Sequence, residues 1–331
     1  MKNKKILILG GTGALGKTLI KKYQDNNDII VFSRDEHKHV YMQKDPIFNS
    51  KVVYTIGDVK DINSIKNSLE DFKPNIVINT AALKHVPICE NNVFESVNVN
   101  ILGHQNLIEA IKQSTHKIET LIFVSTDKAC KPINVYGMCK AISEKLYIDY
   151  ALKQNSIKTC LVRYGNVLES TGSVIPFFKK LLTSGKNQLP ITHKDMTRFL
   201  LTLEQATDLI EWAYNHPTSH GKIAIPKVKS FLITNIAKSL IKYYKLEDKV
   251  NLKTVGIRPG EKIHEEMISS EEWLRTEDGE NFLINSDTEF FNPGEPSKNS
   301  IINKEMYSYS SKDSLMNLEE TYNFLKISKV I

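Results

Sequence analysis

The run Lys5–Gly16, KILILGGTGALG, restricts the possible folds more than any other stretch of the chain. A short apolar segment leads into a glycine cluster, and ALGKTLIKKYQ then continues with helical spacing. Gly10, Gly13 and Gly16 recur at every third position, and Gly11 adds an overlapping G-x-G-x-x-G. Strand, tight turn and helix in that order open a βαβ unit. Its turn lets a pyrophosphate approach the backbone while the helix N-terminus offers free N–H groups and a positive dipole end. The placement between strand and helix is what lifts the motif above an ordinary glycine turn.

The same rhythm returns five times, as DIIVFS, KVVYTIGD, PNIVINTAA, IETLIFVST and IKTCLVRYGN, with helical segments between several of them. Apolar strands alternating with amphipathic helices specify an α/β fold, a doubly wound parallel sheet covered on both faces. Residues 1–165 are expected to form this domain, with a segment near 200–226 returning to it. Residues 166–331 mix glycine, proline and charge between shorter helices, and are expected to be mainly a smaller substrate-binding lobe. From Ser286 the chain is polar and turn-rich until the helical LEETYNFLK, which suggests a peripheral strap.

Composition excludes more than it selects. No apolar run approaches the roughly 20 residues that span a bilayer, and the apolar part of MKNKKILILGG is too short for a signal peptide. A cytoplasmic protein without membrane contact is expected. The four cysteines form no C-x-x-C pair, so neither sulfur redox chemistry nor a metal site is expected. The net charge of +6 is scattered, without a basic block, which argues against nucleic acid.

At the end of the second strand, where an acid would grip the ribose hydroxyls of NAD, the chain reads FSRDEHK. Ser33 takes the place of the acid and Arg34 follows, with Lys38 nearby; a guanidinium there suits a 2′-phosphate, favouring NADP over NAD. The alternative is that Arg34 and Lys38 only cover a strand end. Asp58, after the third strand, is placed either at the adenine edge or as a helix cap. Further on, Tyr136 and Lys140 stand four apart in YGMCK, on one face of a helix. A cation beside a phenol, whose reference pKa is near 10, stabilises the phenolate and makes Tyr136 a base.

Taken together, NTAALKHVP, STDKACKPINVYG, RYGNVLESTGSVIPFFKK, MTRF and GIRPGEKIHEEM resemble the extended short-chain dehydrogenases/reductases with their Rossmann-type domain. More narrowly, they are similar to the soluble nucleotide-sugar 4,6-dehydratases that act on UDP-N-acetylglucosamine with inversion at carbon 5, over roughly residues 4–290. A sister group, the polysaccharide-biosynthesis 4-epimerases, shares much of the pattern. The resemblance implies a catalytic set of Thr126 on the 4-hydroxyl, Tyr136 as oxidation base, Lys140 on the nicotinamide ribose, Asp127 as acid and Lys128 as base. Asp127 and Lys128 are what a dehydratase needs beyond an epimerase, because water must leave across carbons 5 and 6. Lys128, near 10.4 in isolation, would have to be desolvated or lie near a cation, and Asp127, near 3.9, would have to hold a proton. The competing role for the two is a structural ion pair.

The resemblance further implies that NADP is held by Gly10, Thr12, Gly13, Ala14, Leu15, Gly16, Ser33, Arg34, Lys38, Asp58, Val59, Thr80, Ala81, Ala82, Lys84 and Asn100, together with Tyr136 and Lys140. A UDP-sugar would meet Lys84, Asn166, Ser173, Val174, Arg198, Arg258 and Glu261, although Glu261 could instead cap a helix. His85 and His264 receive no role. Helices near 98–113 and 136–154 match those that pair subunits in the family, which implies a homo-oligomer. Three functions stand open: the dehydratase, a UDP-sugar 4-epimerase, and a non-catalytic NADP-binding regulator.

Overall fold

The computed structural model describes residues 1–170, 172–286 and 305–331. At its centre are the six apolar runs, β1 (Lys5–Leu9), β2 (Asp28–Ser33), β3 (Val53–Ile56), β4 (Ile76–Asn79), β5 (Thr120–Val124) and β6 (Lys158–Val162). They lie in the spatial order β3-β2-β1-β4-β5-β6, with every neighbouring pair parallel. The α/β doubly wound sheet expected from the sequence is the one found. Every residue of β4 and β5 is buried, and this is why these strands read as continuous apolar runs and not as alternating ones.

The helices Ala14–Tyr23 and Leu203–Asn215 cover one face, where Leu19, Ile20, Leu209 and Ile210 join Ile6, Ile8, Val31 and Ile78. On the other face lie Ile62–Phe72, Gly103–Gln113 and Val135–Lys153, against Leu7, Leu9, Val77 and Phe123. Each fully buried Leu or Ile contributes about 1.5–3 kcal/mol. Beyond β6 the sheet continues with Ile223–Ile225 in parallel, then with Phe282–Ile284 and Thr276–Asp278 antiparallel. The return at 276–284 was not expected from the sequence.

A second core gathers Ile175, Phe178, Leu182, Ile236, Leu240 and Leu325 from the helices Val174–Thr183, Ile233–Tyr243 and Leu318–Ile327. Of the strap expected from Ser286 onward, residues 287–304 lie outside the described residues, while its closing helix Leu318–Ile327 joins this second core through Leu325. Among the described residues no helix is long and apolar enough to cross a membrane, and no group of His, Cys, Asp and Glu is placed to hold a metal.

The sheet order reverses between β1 and β4, which opens a crevice at the carboxyl ends of the strands. Gly10 follows β1, Ser33 ends β2, Thr80 follows β4, Thr126 follows β5 and Asn166 follows β6. The topology therefore brings residues from five strand ends to one edge.

Candidate active site

The glycine turn is a cradle in the physical sense. Gly10 has φ +76°, and a Cβ there would come within 2.8 Å of the Ala81 backbone; at Gly16 a Cβ would lie 2.4 Å from the Gly11 carbonyl oxygen. Gly13 is the N-cap of the helix Ala14–Tyr23, with no side-chain cap and no acid in the first turn. An uncapped helix start beside close-packed glycines fits the pyrophosphate of a dinucleotide. Thr12, Ala14 and Leu15 complete this turn.

At the end of β2 the Ser33 hydroxyl is taken up internally, accepting from Thr12 Oγ1 at 3.0 Å and meeting His39 Nε2 at 2.7 Å. Arg34 is 58% exposed, with loose approaches to Asp58 (3.9 Å) and Glu95 (4.0 Å), so its guanidinium stays available to an anion. Lys38 is instead paired with Asp35 at 2.9 Å. Asp58 accepts from the Lys60 backbone N–H, and the cap of the following helix is Asp61. Val59 packs where a Cβ on Gly103 would lie, 2.8 Å away.

The Thr80–Lys84 loop is held from both sides. Thr80 donates to the Leu9 carbonyl at 2.8 Å, and the Ala81 N–H donates to Asn79 at 3.1 Å. Asn100, fully buried within a π-helical turn, both accepts from and donates to the Leu83 backbone at 2.8 Å. The Asn100 side chain is thus used up in shaping the loop. Ala82 is half-buried at the crevice; Lys84 is exposed, and burial of its surroundings lowers its pKa.

After β5 the chain turns through Asp127–Ala129, and the helix Val135–Lys153 starts at Asn134, whose side chain accepts from the Gly137 N–H. This brings the five expected catalytic residues into one buried chamber. Thr126 Oγ1 donates to Asp127 Oδ1 at 2.9 Å, and Lys128 Nζ donates to the same oxygen at 3.0 Å. Asp127 is 0% exposed and its second oxygen, Oδ2, has no partner among the described residues. Burial pulls the Lys128 ammonium down, but Asp127 and Glu265 outweigh it and raise its pKa. Lys128 is therefore desolvated but held in the charged form by two anions, the reverse of the lowered ammonium pKa that the base role was expected to need.

Tyr136 and Lys140 are both buried. Burial pushes the phenol up, with Tyr164 and Asp127 adding to the effect and a hydrogen bond with Thr126 opposing it. Lys140 Nζ donates to the Val124 carbonyl at 2.6 Å and sits 4.2 Å over the Phe123 ring. Burial lowers its pKa to about 7, with Glu144 pulling the other way.

The second lobe reaches the chamber at two places. A Cβ on Gly172 would lie 2.6 Å from the His85 ring, so the loop before Val174 rests against the Lys84–His85 turn. Here Ser173 Oγ and Asn166 Oδ1 are buried and, among the described residues, have no partners. The segment 258–268 runs beside the turn after β5: Asn134 donates to the Gly260 carbonyl at 2.9 Å and Lys262 to that of Cys130 at 2.7 Å. Glu261 Oε2 is buried and has no hydrogen-bond partner among the described residues, while Arg258 is exposed, 3.9 Å from Glu261. Arg198 is nearly buried and donates to the carbonyls of Thr197 (2.7 Å) and Ile263 (3.2 Å). Orphaned buried oxygens on Asp127, Asn166, Ser173 and Glu261 are what a polar ligand would satisfy.

Sequence reasoning missed Glu265 and Lys262, although both lie in the quoted GEKIHEEM. Their partners Lys128, Arg198 and Cys130 come from distant parts of the chain, so spacing carries no trace of them. Also missed was Arg163, fully buried between Glu144 and Glu272.

The strand order, glycine turn and Tyr136–Lys140 pair are those of the extended short-chain dehydrogenases/reductases. Residues 6–286 match the family model for polysaccharide biosynthesis proteins, and the chain belongs to that family. It is 42% identical to the UDP-N-acetylglucosamine 4,6-dehydratase (inverting) of Campylobacter jejuni, covering 84% of this chain and 81% of the relative. It is 38% identical to the UDP-glucose 4-epimerase of Rickettsia bellii, covering 85% and 82%. The X-ray structure of Pen from Bacillus thuringiensis superposes with a TM-score of 0.84 at 32% identity, over 98% of this chain and 99% of that one.

Proposed function

We propose that this protein is an NADP-dependent UDP-N-acetylglucosamine 4,6-dehydratase that inverts carbon 5. The observation that carries the proposal is the buried Asp127–Lys128 pair beside Thr126 and Tyr136, with Lys128 Nζ 3.0 Å from Asp127 and the other Asp127 oxygen unpartnered. The relatives named as inverting dehydratases support it. An epimerase moves a hydride and needs no second acid and base.

The glycine cradle, the Thr80–Lys84 loop and Arg34 would hold the cofactor, which when bound accepts the hydride from carbon 4 and returns it at carbon 6. Tyr136, which must enter the cycle as its phenolate, takes the proton of the 4-hydroxyl and becomes the neutral phenol that burial favours. Moving one proton across the 3.0 Å contact turns the Asp127–Lys128 ion pair into a neutral acid and a neutral amine, the two forms that elimination requires. Lys128 then removes the carbon-5 proton while Asp127 protonates the departing 6-hydroxyl, and water leaves. Lys128 gives its proton back to carbon 5 on the opposite face. The proton held by Tyr136 returns to Asp127 through Thr126, which hydrogen-bonds to both.

Asn166, Ser173, Arg198 and Glu261 would hold the nucleotide part of the substrate, with Arg258 closing from solvent. Exposed Phe94, Leu102 and Ile142, on or beside the helices expected to pair subunits, support a homo-oligomer.

The test is incubation with UDP-N-acetylglucosamine in deuterated water, read by mass spectrometry and NMR. The expected product has lost one water and carries deuterium at carbon 5. An isomer of unchanged mass without solvent label would establish the epimerase instead. Asp127→Asn should lower water loss by about 100-fold or more while NADP binding persists; unchanged turnover would remove Asp127 from the acid role.

A further inference from the structure

Glu265 is a carboxylate that nothing in the proposed reaction uses. It is 3% exposed, and three cations surround it: Lys128 Nζ at 3.7 Å and Arg198 Nε at 3.8 Å from Oε1, and Lys262 Nζ at 4.0 Å from Oε2. Among the described residues Oε2 accepts no hydrogen bond. A buried carboxylate with no direct donor is costly unless charges nearby compensate it.

Its backbone is fixed with some care. The Glu265 N–H donates to Ser311 Oγ at 2.9 Å, the Ser311 N–H donates back to the Glu265 carbonyl at 2.8 Å, and Ser311 Oγ meets Thr197 Oγ1 at 2.6 Å. Thr197 begins the strand that carries Arg198. Glu265 is thereby anchored as a second carboxylate beside Lys128, 3.7 Å from the Nζ that Asp127 meets at 3.0 Å.

We propose that Glu265 is a positioning residue for Lys128, the second carboxylate that keeps the Lys128 amine aimed into the chamber while Asp127 holds a proton. The inference rests on the dehydratase function proposed above. Once a proton has crossed to Asp127, that residue no longer attracts Lys128 as an anion, and a four-carbon stem is free to swing. Glu265 keeps its charge at that moment and can accept an N–H from the amine, leaving the nitrogen lone pair for the carbon-5 proton. When that C–H bond breaks and an N–H bond forms, the ammonium finds two carboxylates again, Asp127 having given its proton to the leaving hydroxyl. The charged groups facing Lys128 are Asp127 from its own turn, Glu265 from the 258–268 segment and Arg198 from the strand Thr197–Leu201.

The experiment compares wild type, Glu265→Gln and Glu265→Asp by two readouts. One is NMR titration of isotopically labelled lysine, with Lys128→Arg identifying the Lys128 signal. The other is kcat and KM for UDP-N-acetylglucosamine across pH. E265Q should move the Lys128 titration to lower pH and reduce kcat about 10- to 100-fold, with KM held within about threefold, as misplacement of a reacting group does. E265D should recover part of both, and it replaces E265Q if the latter does not fold. An unchanged Lys128 titration overturns the proposal, as does a raised KM with unchanged kcat, which would mean that Glu265 serves Arg198 alone. Wild-type protein that produces no dehydrated sugar overturns the dehydratase function, and the titration then still decides whether Glu265 governs Lys128.

Discussion

Lys140 and Tyr136 are shifted in opposite directions by one cause, the dryness of the chamber. The sequence leads one to expect Lys140 to pull the phenol down as a full positive charge. Burial brings the ammonium to about 7, so near neutrality it is only partly protonated and is a weak source of that field. This has a consequence for stability. In the unfolded chain Lys140 keeps its proton up to about pH 10.5, whereas in the folded chain it releases it above about 7. The unfolded state then binds more protons, and stability rises with pH through that window. Between pH 7 and pH 9 the wild type should gain about 2 kcal/mol relative to Lys140→Met. Urea unfolding of both proteins without added nucleotide, at the two pH values, measures the difference; parallel behaviour would mean that Lys140 is not desolvated.

Gly137 fixes how the helix Val135–Lys153 sits on the turn Asp127–Ala129. Its conformation is ordinarily helical, and the demand for glycine comes from space: a Cβ would lie 2.2 Å from the Lys128 carbonyl oxygen. Gly137→Ala must push helix and turn apart. A loss of about 1–3 kcal/mol is expected, together with a fall in turnover, because Lys128 moves with its carbonyl. Thermal unfolding and steady-state kinetics check this, and wild-type values for both would show that the turn yields freely. Nothing in the sequence marks Gly137 as special, since the glycine turn after β1 looks much stronger. The central strands were legible because burial on both faces writes them as apolar runs, and the crevice followed from Gly10–Gly16 and Tyr136–Lys140. Phe282–Ile284 and Thr276–Asp278 were not legible, because strands of three residues leave no period. Asn100 was expected at the cofactor through the resemblance, and the fold turns its amide onto the Leu83 backbone.

Arg163 holds the whole molecule together across these elements. It directly follows β6 and is fully buried, and its guanidinium donates to Glu144 at 2.6 and 2.9 Å, to Glu272 at 2.8 and 3.0 Å and to the Met267 carbonyl at 2.8 Å. Glu144 lies on the helix of Tyr136 and Lys140, and Glu272 lies on Ser270–Leu274, just before the strands 276–284 that extend the sheet. One side chain therefore links the sheet, the helix bearing the oxidation pair and the segment that follows Glu265. Burial opposes ionisation of Glu272, but the charge and hydrogen bonds of Arg163 outweigh it and bring the carboxyl to about 2. A depressed carboxylate contributes stability above its unfolded pKa of about 4.5 and loses that contribution as pH falls towards 2. In Glu272→Gln the loss is absent, so the gap between wild type and variant should narrow by about 2–3 kcal/mol between pH 5 and pH 2.5. At neutral pH the variant should be the weaker protein, because Arg163 keeps only one carboxylate partner in the interior. Hydrogen-exchange protection factors at residues 276–284, in which the intrinsic slowing of exchange by acid is divided out, should drop in the wild type over the same window, since the clamp to those strands opens as Glu272 takes up its proton. If the variant and the wild type lose stability in parallel on acidification, Glu272 is not what ties the C-terminal segment to the sheet.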